Sequence, residues 1–174
     1  MQARNVILVG FMGAGKSICG RLLARRLGRC FVETDDMIVA REGRSIPEIF
    51  SQRGEAHFRQ VEAETLEALA LKSGDVIATG GGLPCRDGRV ADLKRLGTVV
   101  WLRGPLQTLV ERARRMGARP MLDGRSLDEV EALYRQREPY YAQADVIVDT
   151  TDAGPDQVVA RILSALREHD LSRV

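Results

Sequence analysis

The feature that most constrains this chain is a glycine-rich run over residues 10–17, which reads Gly-Phe-Met-Gly-Ala-Gly-Lys-Ser. The run fits the pattern Gly, any four residues, Gly-Lys-Ser/Thr, and it lies between a strand-like segment and a helical pattern. Its glycines let several backbone N–H groups point at one anion, and the new helix adds its positive end. The run predicts a phosphate-binding loop, with Lys16 on the β- and γ-phosphates and the Ser17 hydroxyl on Mg²⁺. The residues assigned to the phosphate tail are Gly13, Ala14, Gly15, Lys16, Ser17 and Ile18.

Strand-like and helix-like segments alternate along the chain. The predicted strands are short, rich in Val and Ile and mostly apolar, which is typical of a parallel sheet covered by helices on both faces. They lie near residues 6–9, 30–34, 75–79, 98–102 and 145–149. Helices are predicted over residues 16–27, 36–42, 46–53, 55–71, 88–96, 106–115, 126–142 and 156–168. Two of them begin with capping boxes, Ser45 with Glu48 and Ser126 with Glu129. The pattern predicts one α/β domain over residues 1–174.

Composition excludes several functional classes. A net charge of +2 gives no strong field, so we expect no nucleic-acid partner. The three cysteines form no Cys-x-x-Cys pair, and with two histidines there is no zinc-ligand spacing. We expect buried or half-buried thiols in a reducing compartment. The chain enters its first strand without a signal peptide, and no apolar run approaches ~18 residues. A cytoplasmic protein without a membrane partner is the expectation.

Carboxylates follow the second predicted strand, in the run Glu33-Thr34-Asp35-Asp36. Ligands of open parallel sheets bind beyond the carboxyl ends of the strands. One carboxylate there can order the water shell of Mg²⁺, which makes Glu33 (through water) and Asp35 candidate metal-site residues. Another can accept a proton from an attacking hydroxyl, and Asp35 is the candidate base. The alternative is a helix N-cap formed by Asp35 or Asp36, which the neighbouring phosphate loop makes the weaker interpretation.

Three glycines, Gly80, Gly81 and Gly82, follow the third predicted strand. Without side chains they expose backbone N–H groups and allow a ligand to approach closely. The alternative is a plain chain reversal.

Two arginines are candidates for binding a carboxylate. Arg59 lies three residues before Glu62, which would pair with it on a helix and hold it in place. Pro139 would bend or end the helix that carries Arg137, and so present that side chain inward. Taken alone, both arginines are interpreted as surface charges.

The segment over residues 114–125 is basic, contains glycine and lacks core residues, which predicts a mobile flap. Arg119 in this flap would neutralise the charge that develops on a transferring phosphoryl group. Among Arg112, Arg114 and Arg115 just before it, one would stack on adenine, although surface arginines on a helix are the alternative. Trp101 lies inside an apolar strand and is expected in the core.

Together these motifs resemble the shikimate kinase family, which belongs with the nucleoside monophosphate kinases among the phosphate-loop kinases. The resemblance runs from Val6 to Leu166. Besides the glycine-rich loop, it rests on Thr34-Asp35, Ser45-Ile46-Pro47-Glu48-Ile49-Phe50, Phe58-Arg59-x-x-Glu62, Gly80-Gly81-Gly82, Arg119-Pro120-Met121-Leu122 and Arg137-x-Pro139-x-Tyr141. It implies a P-loop kinase fold with strand order 2-3-1-4-5, and ATP-dependent, Mg²⁺-dependent phosphorylation of the 3-hydroxyl of shikimate in aromatic amino-acid biosynthesis.

The resemblance also implies residue roles. Asp35 would hold and deprotonate the acceptor hydroxyl, with Lys16 and Arg119 as the other catalytic residues. Arg59 and Arg137 would bind the shikimate carboxylate, and Gly80, Gly81 and Gly82 would contact the substrate. Arg112 and the loop ending at Pro155 would enclose adenine. The acceptor-binding helices would span residues 35–62 and the lid residues 112–125, in a monomer.

Two departures from the family pattern leave the acceptor open. Glu33 stands where an aspartate is usual, and Leu83-Pro84-Cys85 follows the glycines where a small residue and Val are expected. A phosphate-loop kinase of another small hydroxy acid, such as gluconate, is therefore one alternative. A non-catalytic nucleotide-binding module is the other. A GTPase is disfavoured, because the chain has no Asn-Lys-x-Asp run.

Overall fold

Five parallel strands form one sheet in the order β2-β3-β1-β4-β5 in the computed structural model, which describes residues 4–115 and 124–172. This is the order that the family resemblance implies. The strands are β1 (Asn5–Val9), β2 (Phe31–Glu33), β3 (Val76–Ala78), β4 (Gly97–Arg103) and β5 (Val146–Asp149). In register, Ile7 of β1 lies between Ile77 of β3 and Val99 of β4. The first strand, which leads into the phosphate loop, is thus the centre of the sheet.

Seven helices connect or follow the strands within the described residues. They are α1 (Lys16–Leu27), α2 (Thr34–Glu42), α3 (Ile46–Ala70), α4 (Arg89–Leu96), α5 (Leu106–Arg115), α6 (Leu127–Tyr141) and α7 (Pro155–Leu171). Helix α1 contacts β3 and α7, α7 contacts β5, and α4 packs on β4. Every residue of β1 is buried, so both faces of the central sheet are covered. None of the helices in the described part of the chain has the length and apolar character needed to cross a bilayer.

The sequence predicts strands that are mostly apolar and covered on both faces, and the two edge strands differ from this prediction. In β5 buried and exposed residues alternate, and Ile147 is 50 % exposed. The three residues of β2 are all only partly buried. These residues are exposed because β2 and β5 lie at the edges of the sheet. An edge strand pairs with a neighbour on one side only, and fewer helices cover its two faces.

Several boundaries also differ from the predicted ones. The second strand stops at Glu33, because Thr34 already begins α2 and its buried hydroxyl accepts a hydrogen bond from the Gly80 N–H (3.0 Å). The two helices predicted on either side of Gly54 form one element, α3, broken at Gly54 (φ 80°, ψ 170°). A positive φ of this kind suits glycine, which explains why the break falls there. Helix α6 runs through Pro139 and ends two residues later.

Packing separates a main core around the sheet from a small second core. The second core consists of Ile38, Ile49, Phe58 and Val61, which join α2 to α3. Both predicted capping boxes are present; in the second, the Glu129 N–H donates to the Ser126 hydroxyl oxygen (3.2 Å). The helix pair α2–α3 therefore has its own packing and start signal, beside the carboxyl end of β2.

The cysteines correct one expectation. Cys19 is buried and Cys85 half-buried, as expected, but Cys30 is exposed. Cys30 immediately precedes β2, and an edge strand leaves its flanking residue open to solvent. All three are free thiols.

The Asn5 side chain connects three strands at the end of the sheet opposite the phosphate loop. Its side chain is 1 % exposed and makes three hydrogen bonds to backbone. Its amide nitrogen donates to the carbonyls of Lys72 and Leu96 (3.1 Å each), and its Oδ1 accepts from the Asp75 N–H (2.9 Å). One side chain thus ties the starts of β1, β3 and β4 together.

We expect Asn5→Ala to lower the free energy of unfolding by about 3 kcal/mol, because it leaves three partly buried backbone groups without partners. Urea denaturation measures the change. Lys72→Ala is the matched control, since the exposed Lys72 contributes only its carbonyl to this contact. An Asn5→Ala stability within about 0.5 kcal/mol of the unaltered protein would contradict the assignment.

Candidate active site

The phosphate loop turns from β1 into α1 through three glycines with positive φ: Gly10 (144°), Gly13 (76°) and Gly15 (87°). A side chain at Gly13 would overlap the carbonyl oxygen of Leu109, so α5 packs directly against the loop backbone. Gly15 is the N-cap of α1 in the left-handed conformation. The conformation leaves the loop backbone facing a cleft at the positive end of α1.

Lys16 and Ser17, the first two residues of α1, are held by neighbours. The Lys16 ammonium donates to the carbonyls of Gly10 (2.8 Å) and Phe11 (3.1 Å), so it lies over its own loop. The Ser17 hydroxyl donates to Glu33 Oε1 (2.5 Å). The other Glu33 oxygen lies 3.5 Å from Arg21 Nη2. The two residues predicted for the Mg²⁺ site, Ser17 and Glu33, therefore lie in contact at the start of the helix.

One cleft of ≈ 220 Å³ brings together most of the residues that the sequence predicts for binding and catalysis. These are Gly13, Gly15, Lys16, Ser17, Ile18, Glu33, Asp35, Arg59, Gly80, Gly81, Gly82 and Arg137. They come from five places in the chain, namely the phosphate loop with α1, the β2–α2 junction, α3, the loop after β3, and α6. The phosphate loop and the two arginines therefore share a single cavity.

Asp35 lies in the first turn of α2 and faces this cleft. Burial raises the pKa of its carboxyl to about 6; the Lys16 ammonium opposes the shift, and the carboxylates of Glu33, Glu62 and Asp36 add to it. The residue before α2 is Glu33, and no side-chain oxygen caps this helix, so the N-cap interpretation of Asp35 or Asp36 is wrong. A side chain at Gly80 would overlap Asp35 Oδ1, so the carboxylate lies directly against the glycine backbone.

Arg59 is fixed on α3 by two glutamates. Its Nη1 donates to Glu62 (3.1 Å), while its Nε (3.2 Å) and Nη2 (3.0 Å) donate to Glu55. The Glu62 side chain is 3 % exposed and that of Arg59 21 %, so this is a largely buried pair. A buried carboxylate with one cationic partner restricts the guanidinium to a narrow range of positions. The interpretation of Arg59 as a surface charge is therefore wrong.

Arg137 lies across the cleft on α6, beside the glycine loop. A side chain at Gly82 would have its first carbon 3.3 Å from Arg137 Nη2 and 3.8 Å from Arg59 Nη1. Both guanidiniums thus approach the same short stretch of backbone. No carboxylate of the described residues forms a salt bridge with Arg137, whereas Arg59 has two such partners. The site has an excess of positive charge on the Arg137 side.

An apolar wall of the cleft was not predicted from the sequence. Met12, Ile46, Phe50 and Phe58 form this wall, and the polar Thr79 also lines the cleft. The rings of Phe50 and Phe58 lie 4.6 Å apart, tilted by 35°. Ile46, Phe50 and Phe58 belong to motifs that carry the family resemblance, but no local pattern assigns these side chains to a cleft wall.

Three predicted residues that the structure describes lie outside the cleft. Ala14 is buried in the loop. Arg112 on α5 donates from Nη1 to the Thr150 hydroxyl (3.2 Å) and from Nη2 to the Thr150 carbonyl (2.9 Å), and Pro155 begins α7. These residues do not line the cleft. Arg119 and most of the predicted lid fall in residues 116–123, outside the described part of the chain.

The cleft has few possible metal ligands. Across residues 4–115 and 124–172, no group of three or more His, Cys, Asp or Glu side chains could hold a metal ion. The Ser17 hydroxyl and the Glu33 carboxylate are oxygen donors at the start of α1. Such a set suits Mg²⁺, which takes few protein ligands and fills the remaining positions with water and phosphate oxygens.

Known proteins resemble this chain along almost its whole length. The family model described as shikimate kinase matches residues 12–167. A shikimate kinase of Persephonella marina is 41 % identical over 164 residues, covering 94 % of this chain and 99 % of the relative. The crystal structure of shikimate kinase from Aquifex aeolicus has a TM-score of 0.86 at 40 % identity, covering 96 % of this chain and 98 % of that one.

Two further solved structures bear on the choice of acceptor. The shikimate kinase of Acinetobacter baumannii in complex with shikimate has a TM-score of 0.85 at 34 % identity and covers 97 % of this chain and 96 % of that one. A gluconokinase of Sinorhizobium meliloti has a TM-score of 0.62 at 19 % identity, covering 95 % of this chain and 92 % of that one. At that identity the gluconokinase shows a shared fold and nothing more.

The Asp35 environment predicts an NMR titration. We expect the Asp35 carboxyl carbon to titrate with a pKa of about 6, and Glu33→Gln to lower that value because one neighbouring negative charge is removed. Asp35→Asn identifies the resonance by its loss. A pKa near 3.8, the ordinary value, would contradict the buried environment.

Proposed function

This chain belongs to the shikimate kinase family, and on that premise we propose that it transfers the γ-phosphoryl group of ATP to the 3-hydroxyl of shikimate. The observation that carries the proposal is the shared cleft. Lys16, Asp35, Arg59 and Arg137 line one cavity, so the residues proposed for phosphate binding, proton transfer and carboxylate binding lie within the reach of one small acceptor. A non-catalytic nucleotide-binding module would need neither the buried carboxylate nor the two arginines.

The acceptor carboxylate would lie between Arg59 and Arg137. Two guanidinium forks match the planar geometry of a carboxylate. Arg59 is held in place by Glu55 and Glu62, while Arg137 has no carboxylate partner among the described residues. A bound carboxylate supplies the missing negative charge. The rings of Phe50 and Phe58 offer an apolar surface to a small carbocycle.

Asp35 would position the attacking hydroxyl and accept its proton. Its pKa of about 6 leaves it ionised at neutral pH, yet more basic than an ordinary aspartate. Because the base acts only when it is deprotonated, we expect activity to be lost as the pH falls through about 6.

The nucleotide would bind through the phosphate loop. The backbone around Gly13 and Gly15 would bind phosphate oxygens, with Lys16 on the β- and γ-phosphates. Mg²⁺ would be held by the Ser17 hydroxyl, with Glu33 through water and Asp35 as a further candidate, and would neutralise charge on the phosphates. Arg112 and Pro155 are proposed at adenine, and Arg119 as the lid arginine. Cytoplasmic location and the monomeric state stay predictions.

Replacing Asp35 with Asn should lower kcat for shikimate roughly 10³-fold and leave ATP affinity within about threefold, because the amide keeps the volume but cannot accept the proton. A coupled assay of ADP release measures kcat, and calorimetry measures ATP binding. Asp36→Asn is the matched control, since Asp36 neighbours Asp35 but is exposed and does not line the cleft.

The same assay identifies the acceptor. We expect Mg²⁺-dependent ADP release with shikimate and none above background with gluconate or nucleoside monophosphates. A folded, ATP-binding protein that turns over gluconate and not shikimate would overturn the proposal. Near-normal turnover by Asp35→Asn would instead refute the base assignment alone.

The carboxylate-binding pair gives a second prediction. Arg137→Lys keeps the charge but loses the two-pronged geometry, so the KM for shikimate should rise roughly thirtyfold while the KM for ATP stays unchanged. Arg135→Lys is the control, because Arg135 is exposed on the same helix and pairs with Glu131 (2.6 Å). Equal KM values in the two variants would exclude Arg137 from the acceptor site.

A further inference from the structure

Tyr141, the last residue of α6, is buried beneath the glycine loop and touches the sheet. It is 1 % exposed, and its ring lies 6.1 Å from that of Trp101 on β4. Tyr141 does not line the cleft, and the mechanism proposed above does not use it. A buried tyrosine hydroxyl needs a hydrogen-bond partner, so the identity of that partner is informative.

The acceptor of its hydrogen bond is the backbone of the glycine loop, and the side chains of Cys85 and Arg137 also interact with the hydroxyl. The Tyr141 hydroxyl donates to the Gly81 carbonyl at 2.6 Å. The Cys85 thiol donates to the same oxygen at 3.4 Å, as a second and weaker interaction. The guanidinium of Arg137 lies beside this contact, because a first side-chain carbon at Gly81 would be 3.5 Å from Arg137 Nη1 and 3.7 Å from the Tyr141 hydroxyl.

Fixing that carbonyl fixes the direction of the next amide. In a planar trans peptide the C=O of one residue and the N–H of the following residue point in opposite directions. With the Gly81 carbonyl held on Tyr141, the Gly82 N–H is directed away from Tyr141. Gly82 lines the cleft, and within the described residues the N–H groups of Gly81 and Gly82 have no protein acceptor.

Hydrogen bonds hold the two ends of the glycine run, because Gly80 contacts Thr34 and Leu83 and the Gly82 carbonyl accepts from the Cys85 N–H, so the middle peptide is the part that needs a further contact. Glycine has more backbone freedom than any other residue, so an unanchored loop would sample many orientations of these amides. The two donors, Tyr141 and Cys85, restrict the orientation of the Gly81 carbonyl at the centre of the loop.

We propose that Tyr141 is a positioning residue of the acceptor site, whose hydroxyl fixes the Gly81–Gly82 peptide so that its amide and the neighbouring Arg137 meet the acceptor in one arrangement. The inference rests on the proposed function, because it assigns these amides to the acceptor. Burial raises the pKa of Tyr141 well above its usual value, so the hydroxyl remains a donor throughout the working pH range.

The test is Tyr141→Phe, which removes one oxygen atom and keeps the ring against Trp101. We expect the KM for shikimate to rise about tenfold, with kcat within about twofold and the KM for ATP unchanged. Tyr140→Phe is the matched control, because the Tyr140 hydroxyl contacts Asp87 (3.3 Å) away from the cleft, and its KM values should not change. A general structural defect would change kcat and both KM values together, and that result would overturn the inference.

Cys85→Ala provides an independent variant if Tyr141→Phe does not fold. It removes the weaker donor, and we expect the KM for shikimate to rise about threefold without a change in the KM for ATP. If Tyr141→Phe folds and its KM for shikimate is unchanged, the inference is overturned and the proposed function stands. If Tyr141→Phe does not fold, an unchanged KM for shikimate in Cys85→Ala has the same consequence. No shikimate turnover by the unaltered protein overturns the proposed function itself.

Discussion

The fit between the phosphate loop and the backbone around it is the constraint on which the rest of this structure depends. Gly13 leaves no room for a side chain against the Leu109 carbonyl, and the Lys16 ammonium lies on the carbonyls of Gly10 and Phe11. The loop leaves β1, which is central in the sheet with β3 and β4 as neighbours. Strand order reverses at this point, and in open parallel sheets ligands bind at such a switch point. The loops after β2 and β3 therefore reach the same cleft.

The cleft contains both positively and negatively charged side chains. Lys16, Arg59 and Arg137 face Glu33, Asp35 and Glu62 across a small, partly buried volume. Burial keeps a proton on Asp35 more strongly than in water, while Lys16 favours its ionised form. Glu62 stabilises Arg59 from a buried position. The arginine without a carboxylate partner in the described structure is the one on α6, beside the glycine loop, and this is the position that we propose for the anionic acceptor.

The features that were predicted correctly from the sequence are those encoded by short runs of neighbouring residues. The glycine-rich loop has a fixed spacing of residue types, and the capping boxes of α3 and α6 are short-range motifs, so both were predicted correctly. The strand order came from the family resemblance. The misplaced start of α2 and the exposure of Cys30 have another cause, because they depend on where the sheet ends in space. The apolar wall and the contact between Tyr141 and Gly81 join residues far apart in the chain, which no local pattern encodes.

A crystal structure of the protein with ADP, Mg²⁺ and shikimate tests the central claim most directly. We predict that the shikimate carboxylate lies within hydrogen-bonding distance of both Arg59 and Arg137, and that its 3-hydroxyl contacts Asp35 beside the phosphate loop. Shikimate bound outside this cleft, or bound in it with the carboxylate turned away from both guanidiniums, would contradict the account.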